Sequence, residues 1–334
     1  MLTRRAALLG LGSLGTTACT KRSEPPAPPP PSPSSPSGSP SANESFASVP
    51  VGANASGGAH LHERVSSRVP VEIEWDLGSR GKAAVVVVPP DNPTAGARYR
   101  LLIALHGRGE SVKGSARGHW GWPRDYAMTR AGQRLAAPPL TSADYEGLVT
   151  PERLARVNAR LRERAFRGLV VVCPYLPDFD WSRPPRATIA DYAQFLIDEL
   201  LPRARRELPV HATAAATGID GVSLGGCMAL RVGFLFAAHF GAVGSLQGAL
   251  NPSQVDELVA MAKAAREKNP ALSLRIATSN DDAFVNSNRA LGQALATAGV
   301  PRELEDHLGR HDYQWNRGPG SFELLLFHDH ALAE

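Results

Sequence analysis

The most constraining stretch of the sequence is Gly221-Val222-Ser223-Leu224-Gly225, a G-x-S-x-G pattern whose surroundings give it meaning. Residues 217–222 read as a short strand, and residues 224–238 as a helix that is apolar nearly all round. A strand that passes into a helix through a single residue needs a turn too tight for Cβ atoms on its neighbours, so glycine flanks the serine. The serine is then expected at a strained φ/ψ, with its hydroxyl lifted above the carboxyl end of a sheet. A helix without a polar face must be buried on all sides, so the chain has to build layers around it.

Residues 69–77 alternate apolar and polar, as a strand with one wet face does, and residues 303–308 alternate again. Between them, residues 83–88, 99–105, 169–173, 242–246 and 274–278 are almost wholly apolar runs. Such strands are buried on both faces, as in a parallel sheet covered by helices. Helical spacing recurs at 189–208, where Pro202 is expected to kink the helix, and at 255–266, 286–298 and 321–332. Strands alternating with helices predict an α/β class, a mostly parallel doubly wound sheet with an antiparallel N-terminal edge. A simple connection between such elements is short, so the stretch at about 110–168 stands out as an insertion after the third strand.

A serine hydroxyl is a weak nucleophile until a base takes its proton, and the base must itself be held by an acid. Asn280-Asp281-Asp282-Ala283 follows the strand at 274–278. Asp282 is the acid candidate because it lies nearer the next helix, with Asp281 as the alternative or as that helix's cap. Gly309-Arg310-His311-Asp312 follows the last strand, and His311 is the base candidate. His307 falls inside that strand, where its ring packs or faces solvent. His328 and His330 flank Asp329 on the terminal helix; residues two apart point in different directions, so a solvated face is expected rather than a metal site. An oxyanion needs backbone N–H donors, and those of Leu224 and of Arg108, in His106-Gly107-Arg108-Gly109, are the candidates. His106, Trp122, Tyr175 and Trp181 lie near strand carboxyl ends, where ligands bind in open α/β sheets, and are the candidates for substrate contact. The aromatic residues of the insertion read either as a lid or acyl pocket, or as cement between the insertion and the core.

With these motifs in place, residues from about 65 to 334 resemble the putative esterase group of α/β hydrolases, with its esterase D-like, feruloyl-esterase-like and polyester-depolymerase-like enzymes. Gly309-Arg310-His311-Asp312-Tyr313-Gln314-Trp315 looks like that group's stretch around its catalytic histidine. The resemblance implies the α/β-hydrolase fold, Ser223 as nucleophile, His311 as base and Asp282 as acid. It also implies hydrolysis of a small-molecule or polymer carboxylic ester through an acyl-enzyme, without a cofactor. An acyltransferase or peptidase on the same fold, or an anchored binding protein without catalysis, is the alternative.

The N-terminus predicts a destination. Thr3-Arg4-Arg5, an apolar run at 6–18 too short to span a bilayer, and Cys19 describe an export signal over residues 1–19. Cys19 is a candidate for lipidation, which would make the membrane a partner and place the protein in the periplasm or cell envelope. Residues 20–62, rich in Pro and Ser, read as a disordered, semi-extended linker ahead of the domain at 63–334. A net charge of +4, with Arg scattered among Asp and Glu, argues against a nucleic-acid partner. Cys173 and Cys227 are expected as two buried thiols, although an exported compartment would permit a disulfide.

Overall fold

The computed structural model describes residues 69–94 and 96–333; the export segment, Cys19 and the linker lie outside the described residues. Eight strands form one sheet: β1 (Val71–Asp76), β2 (Lys82–Val88), β3 (Arg100–Leu105), β4 (Leu169–Pro174), β5 (Thr217–Gly221), β6 (Ala242–Leu246), β7 (Ser273–Asp281) and β8 (Glu303–Arg310). Their order is β1-β2-β4-β3-β5-β6-β7-β8. Strand β2 runs antiparallel to both neighbours, and every pairing from β4 to β8 is parallel. The continuous apolar runs are central strands, buried at every residue of β3, β4, β5 and β6. The two alternating strands, β1 and β8, take the edges, where only Trp75 of β1 and His307 of β8 are buried.

The period of two in a strand divides the core. Val85, Val87, Leu101, Ile103 and Leu105 point to one face, and Ala84, Val86, Val88, Leu102 and Ala104 to the other. The second face is covered by α1 (Met128–Ala136) and α2 (Pro151–Glu163), which connect β3 to β4. The first is covered by α3 (Arg186–Phe195), α4 (Leu201–Glu207), α5 (Leu224–Leu235), α6 (Val255–Lys268) and α7 (Val285–Thr297). The terminal helix α8 (Ser321–Ala331) returns to the second face. A wider π turn at Leu196–Leu200 joins α3 to α4, and Pro202 sits in the first turn of α4 directly after it.

The long β3–β4 connection is therefore a structural layer. Trp122, Tyr126 and Tyr145 are fully buried in the second core, so these aromatics cement the insertion rather than form a lid. Cys173 and Cys227 are free, buried thiols belonging to clusters on opposite faces of the sheet.

Candidate active site

Ser223 joins β5 to α5 with φ 58 and ψ −117, the left-handed region that a side chain occupies only under strain. Its backbone is pinned on both sides: its N–H donates to Leu246 O at 2.9 Å, and its carbonyl accepts from Ala249 N at 2.9 Å and Cys227 N at 3.0 Å. The turn is as tight as the motif requires, since a Cβ on Gly225 would lie 2.2 Å from the carbonyl oxygen of Leu105.

His311 and Asp282 meet this serine from the ends of β8 and β7. Nδ1 of His311 lies 2.8 Å from Asp282 Oδ1, and Nε2 lies 2.9 Å from Ser223 Oγ. The carboxylate can only accept, so the proton sits on Nδ1, and Nε2 is free to accept from the serine hydroxyl. Asp282 also accepts from Thr278 Oγ1 at 2.8 Å and from Phe284 N at 3.0 Å. Its side chain is shielded from water while that of His311 is 27% exposed, so solvent reaches the imidazole but not its anchor. A hydroxyl, imidazole and carboxylate linked in this way can pass a proton from Oγ to Nε2 and return it. Asp281 instead points outward to Arg310 at 2.8 Å, and it does not cap α7: the N-cap residue is Phe284, and Asp282 holds its N–H.

Leu224 is the first residue of α5, and Arg108 the first of a one-turn helix, Arg108–Ser111, capped by Gly107. The N–H groups of opening helical residues have no acceptor in their own helix, so both can donate outward. The Arg108 loop lies against the serine, because a Cβ on Gly107 would be 3.5 Å from Ser223 Cβ. The Arg108 guanidinium points away and pairs with Asp178 at 3.0 Å.

Two expectations for substrate contact are corrected. Trp122 is fully buried and donates its indole N–H to Leu105 O at 3.0 Å. His106 is also fully buried: it accepts from Leu176 N at 2.9 Å and donates to Gly107 O at 3.0 Å. Burial pushes its pKa down to about 4, against the pull of the Gly107 carbonyl, and the neutral ring stitches the Arg108 loop to the loop after β4. Tyr175 is half-buried; it donates to Ser111 O at 2.9 Å and lines a cavity of about 250 Å³ with Leu176, Pro177, Tyr192 and Met228. Trp181, also half-buried, packs edge-on to Phe284 at 5.0 Å, which in turn packs edge-on to His311 at 5.2 Å.

The family model described as "putative esterase" matches residues 179–329, the part that carries Ser223, Asp282 and His311. A ferulic acid esterase structure superposes with a TM-score of 0.56 at 17% identity, covering 80% of this chain and 100% of that one. The S-formylglutathione hydrolase FrmB from Staphylococcus aureus gives a TM-score of 0.53 at 13% identity, covering 79% and 97%. FphF, a fluorophosphonate-binding serine hydrolase from Staphylococcus aureus, gives 0.53 at 14%, covering 78% and 98%. No curated protein matches the sequence. The likeness shows that the chain has the fold of these hydrolases.

The site includes residues that the sequence does not single out. Gln247, at φ 44 just past β6, is fully buried and donates from Nε2 to Ser279 Oγ and, at 3.0 Å, to Arg310 O, bracing the loop ahead of His311. Glu110 is buried beside the Arg108 loop. Gly309 holds φ 118 between Leu148 and Trp315, a conformation that favours glycine, and its N–H donates to Asn280 Oδ1 at 2.9 Å. His330 is exposed, as expected of a solvated face, but His328 is not: it is fully buried, with Nε2 3.0 Å from Asp220 Oδ2. His307 packs edge-on to Trp315 at 5.9 Å, and burial pushes its pKa down to about 3.

Proposed function

We propose that the protein is a carboxylic-ester hydrolase that works through Ser223, His311 and Asp282. Ser223 attacks the ester carbonyl as Nε2 of His311 removes its proton, and Asp282 holds the ring with its remaining proton on Nδ1. The oxyanion that forms is stabilised by the amides of Leu224 and Arg108, and loss of one such donor typically lowers kcat by about 10²–10³-fold. His311 then gives its proton to the leaving alcohol, and water, activated by the same ring, releases the acid from Ser223. The observation that carries this reading is the continuous line from Asp282 Oδ1 through both nitrogens of His311 to Ser223 Oγ, with contacts of 2.8 and 2.9 Å.

The substrate is proposed to be a small or polymeric carboxylic ester, with Tyr175 and Trp181 as its neighbours on the side of the loop after β4. A panel of p-nitrophenyl esters of increasing acyl length tests both activity and pocket. Hydrolysis by wild type and its loss in Ser223→Ala are expected; equal rates in the two proteins would contradict the reading. We also propose that the protein is exported and anchored by lipid at Cys19, on the strength of the Arg4-Arg5 pair and the short apolar run that follows it. Cys19→Ser is expected to move the protein from the membrane fraction to the soluble one.

A further inference from the structure

Glu110 is only 1% exposed, yet it carries an ionisable group two residues beyond Arg108. A buried carboxylate is costly unless its oxygens are satisfied. Here they are satisfied from two directions. Oε1 accepts from Tyr313 Oη at 2.6 Å and from Lys113 Nζ at 3.3 Å, and Lys113 is itself fixed by Asp125 at 2.8 Å. Oε2 accepts from Tyr126 Oη, whose lone pair accepts the Gly107 N–H at 3.1 Å.

We propose that Glu110 is a positioning residue: it fixes the loop carrying the Arg108 amide against the segment that follows His311. The proposal rests on the esterase reading of Ser223. Tyr313 lies two residues after His311, and its hydroxyl stands where a Cβ on Gly109 would be 2.9 Å away. A Cβ on Gly107 would lie 3.6 Å from Glu110 Oε2 and 3.5 Å from Ser223 Cβ, so this carboxylate backs the loop whose front faces the serine. One side chain thus ties together two segments 203 residues apart in the chain.

Its charge state sets the direction of the hydrogen bonds. A carboxylate is acceptor-only, so both tyrosines must donate to it, and Tyr126 is left with lone pairs for the Gly107 N–H. A glutamine of the same size presents an NH₂ to one tyrosine, which must then turn its own proton elsewhere. Burial raises the Glu110 carboxyl's pKa, and the Tyr313 hydroxyl and Lys113 ammonium oppose that rise.

The test is steady-state hydrolysis by wild type, Glu110→Gln and Tyr313→Phe, with active sites counted by fluorophosphonate titration. Glu110→Gln is expected to lower kcat about thirty-fold while KM stays within about two-fold, since misplaced oxyanion donors are felt in the transition state. Affinity for a boronic acid that bonds to Ser223 is expected to fall by a similar factor. Tyr313→Phe is expected to cost about five-fold in kcat, with little further loss when it is added to Glu110→Gln. Wild-type kcat and boronate affinity per titrated site in Glu110→Gln, even with a lowered melting temperature, would leave Glu110 a purely structural role and overturn the proposal. If Glu110→Gln does not fold, Tyr313→Phe decides: an unchanged kcat overturns the proposal, and a fall at constant KM supports it. A wild type that neither hydrolyses esters nor labels at Ser223 removes the esterase reading, and the proposal with it. An active wild type with an unaffected Glu110→Gln removes this proposal alone.

Discussion

Two aspartate–histidine pairs share the sheet. Asp282 and His311 meet beyond the ends of β7 and β8, and the far nitrogen of that imidazole reaches Ser223 Oγ at 2.9 Å. Asp220, in β5, and His328, in α8, meet at 3.0 Å with both side chains fully buried. There the far nitrogen, Nδ1, has no hydrogen-bond partner among the described residues. The Arg275 guanidinium occupies the same carboxylate oxygen, and a Cβ on Gly218 would lie 2.3 Å from the ring. Burial lowers the pKa of His328, against the pull of Asp220, so its ring stays neutral and sealed. A carboxylate beside an imidazole is thus common to both pairs. What separates them is where the second nitrogen points and whether water reaches the ring.

Removing the charge from each carboxylate gives the sharpest contrast. Asp282→Asn is expected to lower kcat/KM by about 10³–10⁴-fold at nearly unchanged stability, because an amide no longer holds His311 with its proton on Nδ1. Asp220→Asn is expected to cost about 3–5 kcal/mol of stability by urea unfolding, since Arg275 is left buried without its counter-charge. Its kcat per titrated active site should stay near wild type. An equal loss of kcat in both variants would break the comparison.

The second expected effect is on stability against acid. Burial pushes His106 down to about 4 and His307 down to about 3, so both are neutral in the fold at neutral pH. In the unfolded chain such rings take up protons near pH 6.5. Stability is therefore full above that pH and declines below it, by about 1.4 kcal/mol per pH unit for each ring until its folded pKa is reached. Urea unfolding at about pH 7 and about pH 5 reads this slope, and His307→Gln is expected to remove one ring's share of it. An unchanged slope would mean that His307 is protonated in the fold.

The smallest effect belongs to Asp281. It pairs with Arg310 at the surface, with both side chains mostly exposed, so Asp281→Asn should leave kcat/KM within about two-fold. A loss as large as that of Asp282→Asn would mean that the acid had been assigned to the wrong neighbour.

The layers were legible because their physics is local. Runs such as those of β3 and β4 have no polar face and must be central, and the alternation in β1 and β8 marks edges. Strand ends then placed Ser223, Asp282 and His311 on one side of the sheet. The errors concern side chains whose partners are distant in sequence. Trp122 is a candidate for substrate contact because it lies in an insertion at a strand's carboxyl end, but its indole partner is the Leu105 carbonyl, 17 residues earlier. A solvated face at His328 and His330 follows from their spacing of two on a terminal helix, yet α8 is covered through Phe322, Leu324 and Leu325. Glu110 carries no sequence signal at all, since its role depends on two tyrosines that only the fold assembles.

The most direct measurement is the mass of the protein after reaction with a fluorophosphonate, followed by peptide mapping. A single adduct on Ser223 is predicted in wild type, none in Ser223→Ala, and a much slower reaction in His311→Ala. No adduct in wild type, or one on another residue, would contradict the assignment of Ser223 as the nucleophile.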